Sequence, residues 1–259
     1  MDGLDNGKGS VEELKKSFRE LKWYEYLMGA VMIFIAARAM VLGFTEGSSD
    51  GNPAWLTVIN FVSAVCGVIC IFFTAKANIS NFLFATVNTM VYAVYLLYWH
   101  IWGTAALEIL FYIPMNFVSW YAWAKHRDKG LTQKTRTKKL TMLQNAIWAL
   151  VVIAAAVIYH FILVWIDGKE IFGTVQNVQD VRWLDAFTLS IGIVATILEL
   201  LRYREQYVWW IITDIVSVVM YIVHFDAVYL TKRSIYLVMA VIGLINWAKL
   251  QKERNREND

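Results

Sequence analysis

Polar and aromatic side chains recur at helical spacing inside one apolar stretch of this sequence. Glu108, Tyr112, Asn116 and Trp120 lie four residues apart, so a helix would present them on one face. Ionisable and amide groups in an apolar segment are costly unless they face a cavity or a partner, which makes each a candidate for binding. Aromatic faces stack on planar rings and attract cations. The pattern therefore predicts a site for a flat, polar small molecule.

An internal repeat supplies two more faces of this kind. At an offset of 126 residues, four positions in one apolar stretch correspond to four in another: Asn81, Phe84, Asn88 and Tyr95 to Tyr207, Trp210, Asp214 and Tyr221. Downstream the offset falls to 124, where Trp123 corresponds to Trp247. Membrane proteins built from two copies of one unit usually bind their substrate where the copies meet. We expect the three faces to line such a site.

The polar residues of these faces have distinct expected roles. Asn88 and Asn116 are predicted to contact ribose hydroxyls or an amide, whereas Asp214 and Glu108 are predicted to offset a positive charge on the ligand. Two structural interpretations stay open. The asparagines could form hydrogen bonds between helices, and Asp214 could pair with Arg38 or with a helix end.

The elements that must position these residues are transmembrane helices. Hydrophobic residues make up 58% of the 259, and only two residues are prolines, a composition typical of polytopic membrane proteins. Eight stretches are long enough to cross a bilayer: 24–43, 54–75, 80–99, 103–124, 143–166, 183–201, 207–224 and 231–249. Tryptophans near their ends are expected to be anchors at the membrane surface, among them Trp123, Trp209 and Trp247.

The predicted fold class is an all-α membrane protein with eight transmembrane helices. Two parallel triple-helix repeats and one linker helix form a 3+1+3 core, an arrangement known from SWEET-like carriers, and one extra helix precedes it. The predicted segments begin with a cytoplasmic N-terminal segment (1–23), an extra helix with its loop (24–53) and the first repeat (54–124). A basic loop with the linker helix and a periplasmic loop (125–182), the second repeat (183–249) and a cytoplasmic tail (250–259) follow.

The distribution of positive charge predicts the orientation. Nineteen Lys and Arg residues lie in the two tails and the connections on one side, seven of them in the loop 125–142, and four lie on the other side. Because positive residues concentrate on the cytoplasmic side, both termini are expected to be cytoplasmic. The first twenty residues have no apolar core, so we expect no cleaved signal peptide.

Several other functions lack their usual sequence patterns. The chain contains no GxxxxGK[ST], GxSxG or HExxH pattern, its four histidines are scattered, and its two cysteines cannot form a zinc site alone. We therefore expect no cofactor, metal or nucleic-acid partner, and transport that is passive or coupled to an ion. A membrane enzyme using Asp214 and Glu108 as acid and base is a much weaker alternative, and a channel is a third.

Two segments resemble the PnuC family of bacterial vitamin transporters: YIPMNFVSWYAWAKH at 112–126 and YVWWIITDIVSVVMYI at 207–222. The family pattern is W-x-x-W-x-x-x-D/N-x-x-x-x-x-x-Y. Trp210, Asp214 and Tyr221 match it, Asn88 and Tyr95 match its second half in the first repeat, and the leading Trp is Tyr207 here. The resemblance covers about 54–250.

The resemblance implies facilitated diffusion of nicotinamide riboside across the bacterial inner membrane by alternating access. It also implies a 3+1+3 core with an extra helix, and a cytoplasmic kinase that traps the nucleoside by phosphorylation. Thiamine stays open as an alternative substrate, since it too is an aromatic cation and Tyr207 departs from the pattern. The oligomeric state stays open as well, a homo-oligomer included.

Overall fold

A computed structural model describes residues 14–45, 53–98, 100, 102–126, 135–167, 179–223 and 227–258, some of them by their backbone alone. Each of the eight predicted stretches is helical: α1 (Trp23–Thr45), α2 (Ala54–Ala75), α3 (Asn81–Tyr98), α4 (102–125), α5 (Met142–Asp167), α6 (Gln179–Leu200), α7 (Gln206–Val223) and α8 (Ala227–Asn258). The described residues form no β-strand; they include one isolated bridge, between Lys138 and Tyr203. The all-α prediction is confirmed.

The composition and exposure of these helices are those of a membrane protein. Five of the described helices, α1, α2, α3, α5 and α8, contain windows long and apolar enough to cross a bilayer. Large apolar side chains point outward from them: Phe34 on α1 is 69% exposed and Phe161 on α5 is 64% exposed. An apolar surface of this extent is stable in lipid and would aggregate in water. The chain therefore belongs in a membrane.

Helix α4 is interrupted by a π-helical turn. Its first segment (Trp102–Leu107) is α-helical, Glu108–Tyr112 form the π turn, and Ile113–Lys125 are again α-helical. The N–H of Ile113 donates to the carbonyl of Glu108, five residues earlier. Pro114 follows directly, and because proline has no N–H and crowds the preceding turn, it favours such a break.

The chain divides into two compact units. The first contains α1 to α3, most of α4 and the segment up to Arg136, with α2 packed on both α1 and α3. The fully buried carboxylate of Glu25 pairs with the ammonium of Lys76 at 2.8 Å, and the ring of Phe18 packs edge-on against Phe73. These contacts attach the N-terminal part of the chain to the turn that follows α2.

The second unit contains α5 to α8, each packed on the next. Residues ahead of α5 lie against the turn between α6 and α7: the N–H of Lys138 donates to the carbonyl of Arg202 at 2.8 Å, and the N–H of Arg204 donates back to the carbonyl of Lys138 at 3.0 Å. Partial burial and the charge of Arg202 lower the pKa of Lys138. The hydroxyl of Thr137 donates to the carbonyl of Trp247 in α8.

Both repeats contain the same turn between their first and second helices, and this turn fixes their register. Ala77 and Arg202 follow the ends of α2 and α6, and both adopt left-handed backbone angles, with φ of 54° and 66°. Such residues commonly terminate helices. These two positions are 125 residues apart, and the starts and the ends of α3 and α7 differ by the same number. The predicted offset of 126 is therefore wrong by one residue for these helices.

The burial pattern supports the offset of 125. Asn81 and Gln206, which begin α3 and α7, are both fully buried. Further along, Thr89 is 9% exposed and Asp214 is 4% exposed. The counterpart of Asp214 in the first repeat is therefore Thr89. The sequence comparison had predicted Asn88 instead.

Candidate substrate site

In the first unit, the Asn88 side chain bridges α2 and α3. The hydroxyl of Ser63 on α2 donates to its amide oxygen at 2.6 Å. Among the described residues the amide nitrogen of Asn88 makes no hydrogen bond, and the side chain is half-buried. Asn88 therefore joins two helices and still has two N–H groups for another acceptor.

Asn116 makes the corresponding bond between α3 and α4. Its amide nitrogen donates to the hydroxyl of Thr89 at 3.3 Å, one residue after Asn88 along α3. The two interhelical bonds therefore start from consecutive residues of α3, namely Asn88 and Thr89. Both bonds are of the interhelical kind that stabilises membrane proteins modestly, by about 0.6 kcal/mol each on average.

In the second unit, Asp214 pairs with Arg233, which the sequence analysis had not named as a site residue. Arg233 lies in α8, and its Nη1 donates to Oδ1 of Asp214 at 3.3 Å. The Asp214 side chain is 5% exposed and that of Arg233 is 33% exposed. Trp210, one turn before Asp214 on α7, is half-buried. Arg233 is therefore a partner of Asp214 within the second unit.

Tyr207 is packed against the third helix of its repeat. A Cβ added at Gly243 would overlap the Tyr207 ring, so only glycine at this position allows α8 to approach α7 this closely. The same ring lies edge-on to Trp247, with centroids 5.5 Å apart. In the first repeat Phe82 meets Trp123 in the same way at 4.8 Å. The offset of 124 for these tryptophans is confirmed.

Trp123 and Trp247 are both fully buried. The prediction that they anchor the chain at the membrane surface is therefore wrong. Their indole rings fill the interior of each repeat, where an aromatic residue at the start of the second helix packs on them. Trp209 is half-buried and packs against the apolar cluster around Ile191 and Leu198.

The other predicted site residues are less tightly enclosed. Tyr95 stacks on Tyr92, with centroids 6.2 Å apart, and Trp120 is 41% exposed. Glu108 and Tyr112 are half-buried in the π turn of α4. Because that turn contains one extra residue, Glu108 is rotated by roughly 100° relative to the face it would share on a regular helix. The side chain of Tyr221 lies outside the described residues.

The sequence analysis missed three residues that hold the predicted ones: Ser63, Thr89 and Arg233. Ser63 and Thr89 gave no signal, because hydroxyl residues are common in transmembrane helices. Arg233 had a signal, since an arginine two residues into an apolar stretch has a side chain long enough to reach an acidic partner.

Comparison with known proteins identifies the class of protein to which this arrangement belongs. Residues 57–249 match the model of a family described as the nicotinamide mononucleotide transporter. The chain belongs to this transporter family. Its matched region includes both repeats, so the chain is a membrane transporter and not an enzyme.

Individual family members agree with this assignment. The chain is 30% identical to the nicotinamide riboside transporter PnuC of Neisseria mucosa, over 96% of this chain and 91% of the relative, and 27% identical to that of Haemophilus influenzae, over 90% and 94%. A crystal structure of the vitamin B3 transporter PnuC superimposes with a TM-score of 0.66 at 29% identity, covering 94% of this chain and 98% of the other. The predicted PnuC family is confirmed.

Proposed function

We propose that this protein carries nicotinamide riboside across the bacterial inner membrane by facilitated diffusion. Two relatives, each matched over more than nine-tenths of its length, are named for this nucleoside. The observation that supports the proposal most strongly within the chain is the placement of Trp210 one turn before the buried Asp214 on α7. An indole face can stack on a pyridinium ring, and a carboxylate can offset its charge.

The proposed site contains the residues named from the sequence: Asn88, Tyr95, Glu108, Tyr112, Asn116, Trp120, Tyr207, Trp210, Asp214 and Tyr221. Among the described residues the N–H groups of Asn88 make no hydrogen bond, and they suit a ribose or carboxamide oxygen, whereas the buried ring of Tyr207 suits a supporting role. Movement would follow an alternating-access cycle. A cytoplasmic kinase would then keep the phosphorylated product inside, which makes net uptake possible without an ion gradient.

The proposed topology has eight crossings with both termini in the cytoplasm. A basic connection between α4 and α5 and basic residues at both ends of the chain favour this orientation. Helix α7, with 18 residues, has a length of about 27 Å, which suffices for most of a hydrocarbon core of about 30 Å. The parallel 3+1+3 order is supported by two repeats of three helices separated by α5.

The substrate can be tested by titrating purified protein with nicotinamide riboside, nicotinamide mononucleotide and thiamine. We expect micromolar or tighter binding of the riboside. The mononucleotide should bind at least tenfold more weakly, because its charged phosphate would have to be desolvated inside an apolar membrane protein. Tighter binding of thiamine than of the riboside would favour the alternative vitamin, to which the departure at Tyr207 points.

The site itself can be tested with two adjacent tryptophans. Trp210→Ala should weaken riboside binding at least tenfold, because it removes the stacking face. Trp209→Ala is the matched control: its ring packs against an apolar cluster, so the variant should lose thermal stability but keep its affinity. Equal affinities in the two variants would reject the proposed site.

A further inference from the structure

The ion pair between Asp214 and Arg233 joins two transmembrane helices. Asp214 lies in the middle of α7 and Arg233 near the start of α8. A buried carboxylate without a cation nearby is strongly unfavourable, so Asp214 needs a counter-ion to stay ionised, whether or not a ligand is present. In this structure the guanidinium of Arg233 supplies that charge at 3.3 Å.

The fold of the repeat does not require this charge. In the first repeat, Thr89 stands where the second has Asp214, and it accepts a neutral hydrogen bond from Asn116 on the third helix. A neutral pair therefore joins the same two helices in one copy, and a charged pair joins them in the other. Joining the two helices therefore does not by itself account for the charge.

The geometry of the pair suits exchange. A tight arginine–carboxylate pair forms two short parallel bonds, whereas one bond of 3.3 Å joins Arg233 to Asp214. Among the described residues, the second oxygen of Asp214 accepts no hydrogen bond. The neighbouring Lys232 lies over the ring of Tyr236, 5.7 Å from its centroid, and is thereby held by a different partner. If Arg233 moves away from Asp214, Lys232 is therefore not already bound to the carboxylate, and the ligand can take the place of Arg233.

We propose that Arg233 determines the charge specificity of the transporter by acting as an internal cation. In the empty protein its guanidinium neutralises Asp214, and the positively charged aromatic ring of the substrate takes over this role when it binds. The substrate then gains less from its charge than it would from an unpaired carboxylate, because Arg233 must first be displaced. The inference rests on the proposed function in one respect, namely that the substrate is an aromatic cation.

The test compares two ligands of nearly equal shape: nicotinamide riboside, whose ring is cationic, and its dihydro form, whose ring is neutral. The quantity measured is the ratio of their dissociation constants. Arg233→Gln should raise the preference for the cation at least tenfold, because Asp214 loses its internal competitor. Arg233→Lys should keep the ratio within about threefold of the unsubstituted protein, since it retains the charge. Asp214→Asn should reverse the preference, because the charge of Arg233 is then unpaired and disfavours the cationic ring.

A double variant separates this role from a structural one. Arg233→Gln combined with Asp214→Asn leaves a neutral hydrogen-bonding pair, as Asn116 and Thr89 form in the first repeat, so it should fold and should bind the two ligands with similar affinity. An unchanged ratio in Arg233→Gln, or an equal loss of affinity for both ligands, would show that Arg233 only joins the helices. Failure of the unsubstituted protein to bind either ligand would instead overturn the proposed function and, with it, this inference.

Discussion

The hydrogen bond between Ser63 and Asn88 allows the two open roles of Asn88 to be distinguished. Ser63→Ala and Asn88→Ala each remove the same 2.6 Å bond between α2 and α3. Asn88→Ala also removes the amide nitrogen, which has no other hydrogen bond among the described residues. If Asn88 contacts the substrate, the two variants should lose similar stability but very different amounts of affinity.

The expected magnitudes follow from the two kinds of bond. Hydrogen bonds between transmembrane helices contribute about 0.6 kcal/mol on average and at most about 1.7 kcal/mol. Even if the whole average were lost from binding, Ser63→Ala would weaken the affinity only about threefold. A lost polar contact with the ligand should cost about 1.4 kcal/mol or more, so Asn88→Ala should weaken riboside binding at least tenfold.

Calorimetric titration of nicotinamide riboside, together with melting temperatures of the detergent-solubilised protein, gives both quantities for each variant. The double variant should match Asn88→Ala in affinity, because the hydroxyl of Ser63 acts only through Asn88. Equal affinities for the two single variants, with equal losses of melting temperature, would refute the reasoning. Asn88 would then be a structural residue and would leave the proposed site.

Two further predictions concern the packing of the repeats and the N-terminal part of the chain. Gly243→Ala should destabilise the protein by about 1–3 kcal/mol, since the new methyl group overlaps an aromatic ring. Gly29→Ala is the control: its new Cβ would meet a ring edge at 3.1 Å, so it should destabilise the protein less in the same melting experiment. Similar effects at both glycines would contradict the close approach at Gly243. Glu25→Gln leaves the ammonium of Lys76 without its buried carboxylate and should lower the free energy of unfolding by up to about 3–5 kcal/mol. Denaturant titration would contradict this pairing if the variant were as stable as the parent.

Much of the fold could be predicted from the sequence, because lipid imposes a simple requirement on it. Each apolar stretch long enough to cross a bilayer is helical, since only internal hydrogen bonding satisfies a backbone in hydrocarbon. The register of the repeat could not be predicted as well. Matching similar side chains gave an offset of 126, whereas the backbone angles of Ala77 and Arg202 set it at 125. A shift of one residue leaves hydropathy almost unchanged, so hydropathy could not reveal it.

The site was only partly predictable for a related reason. Residue type and spacing selected Asn88, Asn116 and Asp214, which all take part in contacts between helices. Their partners depend on which helix lies beside which, and on how far a long side chain such as that of Arg233 extends along its helix. The spacing rule also failed at Glu108, because a π turn changes the angle between residues before and after it.

The central claim is that the protein is a passive carrier of nicotinamide riboside, and it is tested most directly by uptake into liposomes that contain the purified protein and no kinase. Labelled riboside should enter saturably, reach the same concentration inside as outside and be recovered chemically unaltered. Preloading the liposomes with unlabelled riboside should speed the entry of label, as expected for an alternating-access carrier. Uptake that does not saturate would indicate a channel, and accumulation above the outside concentration would indicate ion coupling; either result would contradict the account.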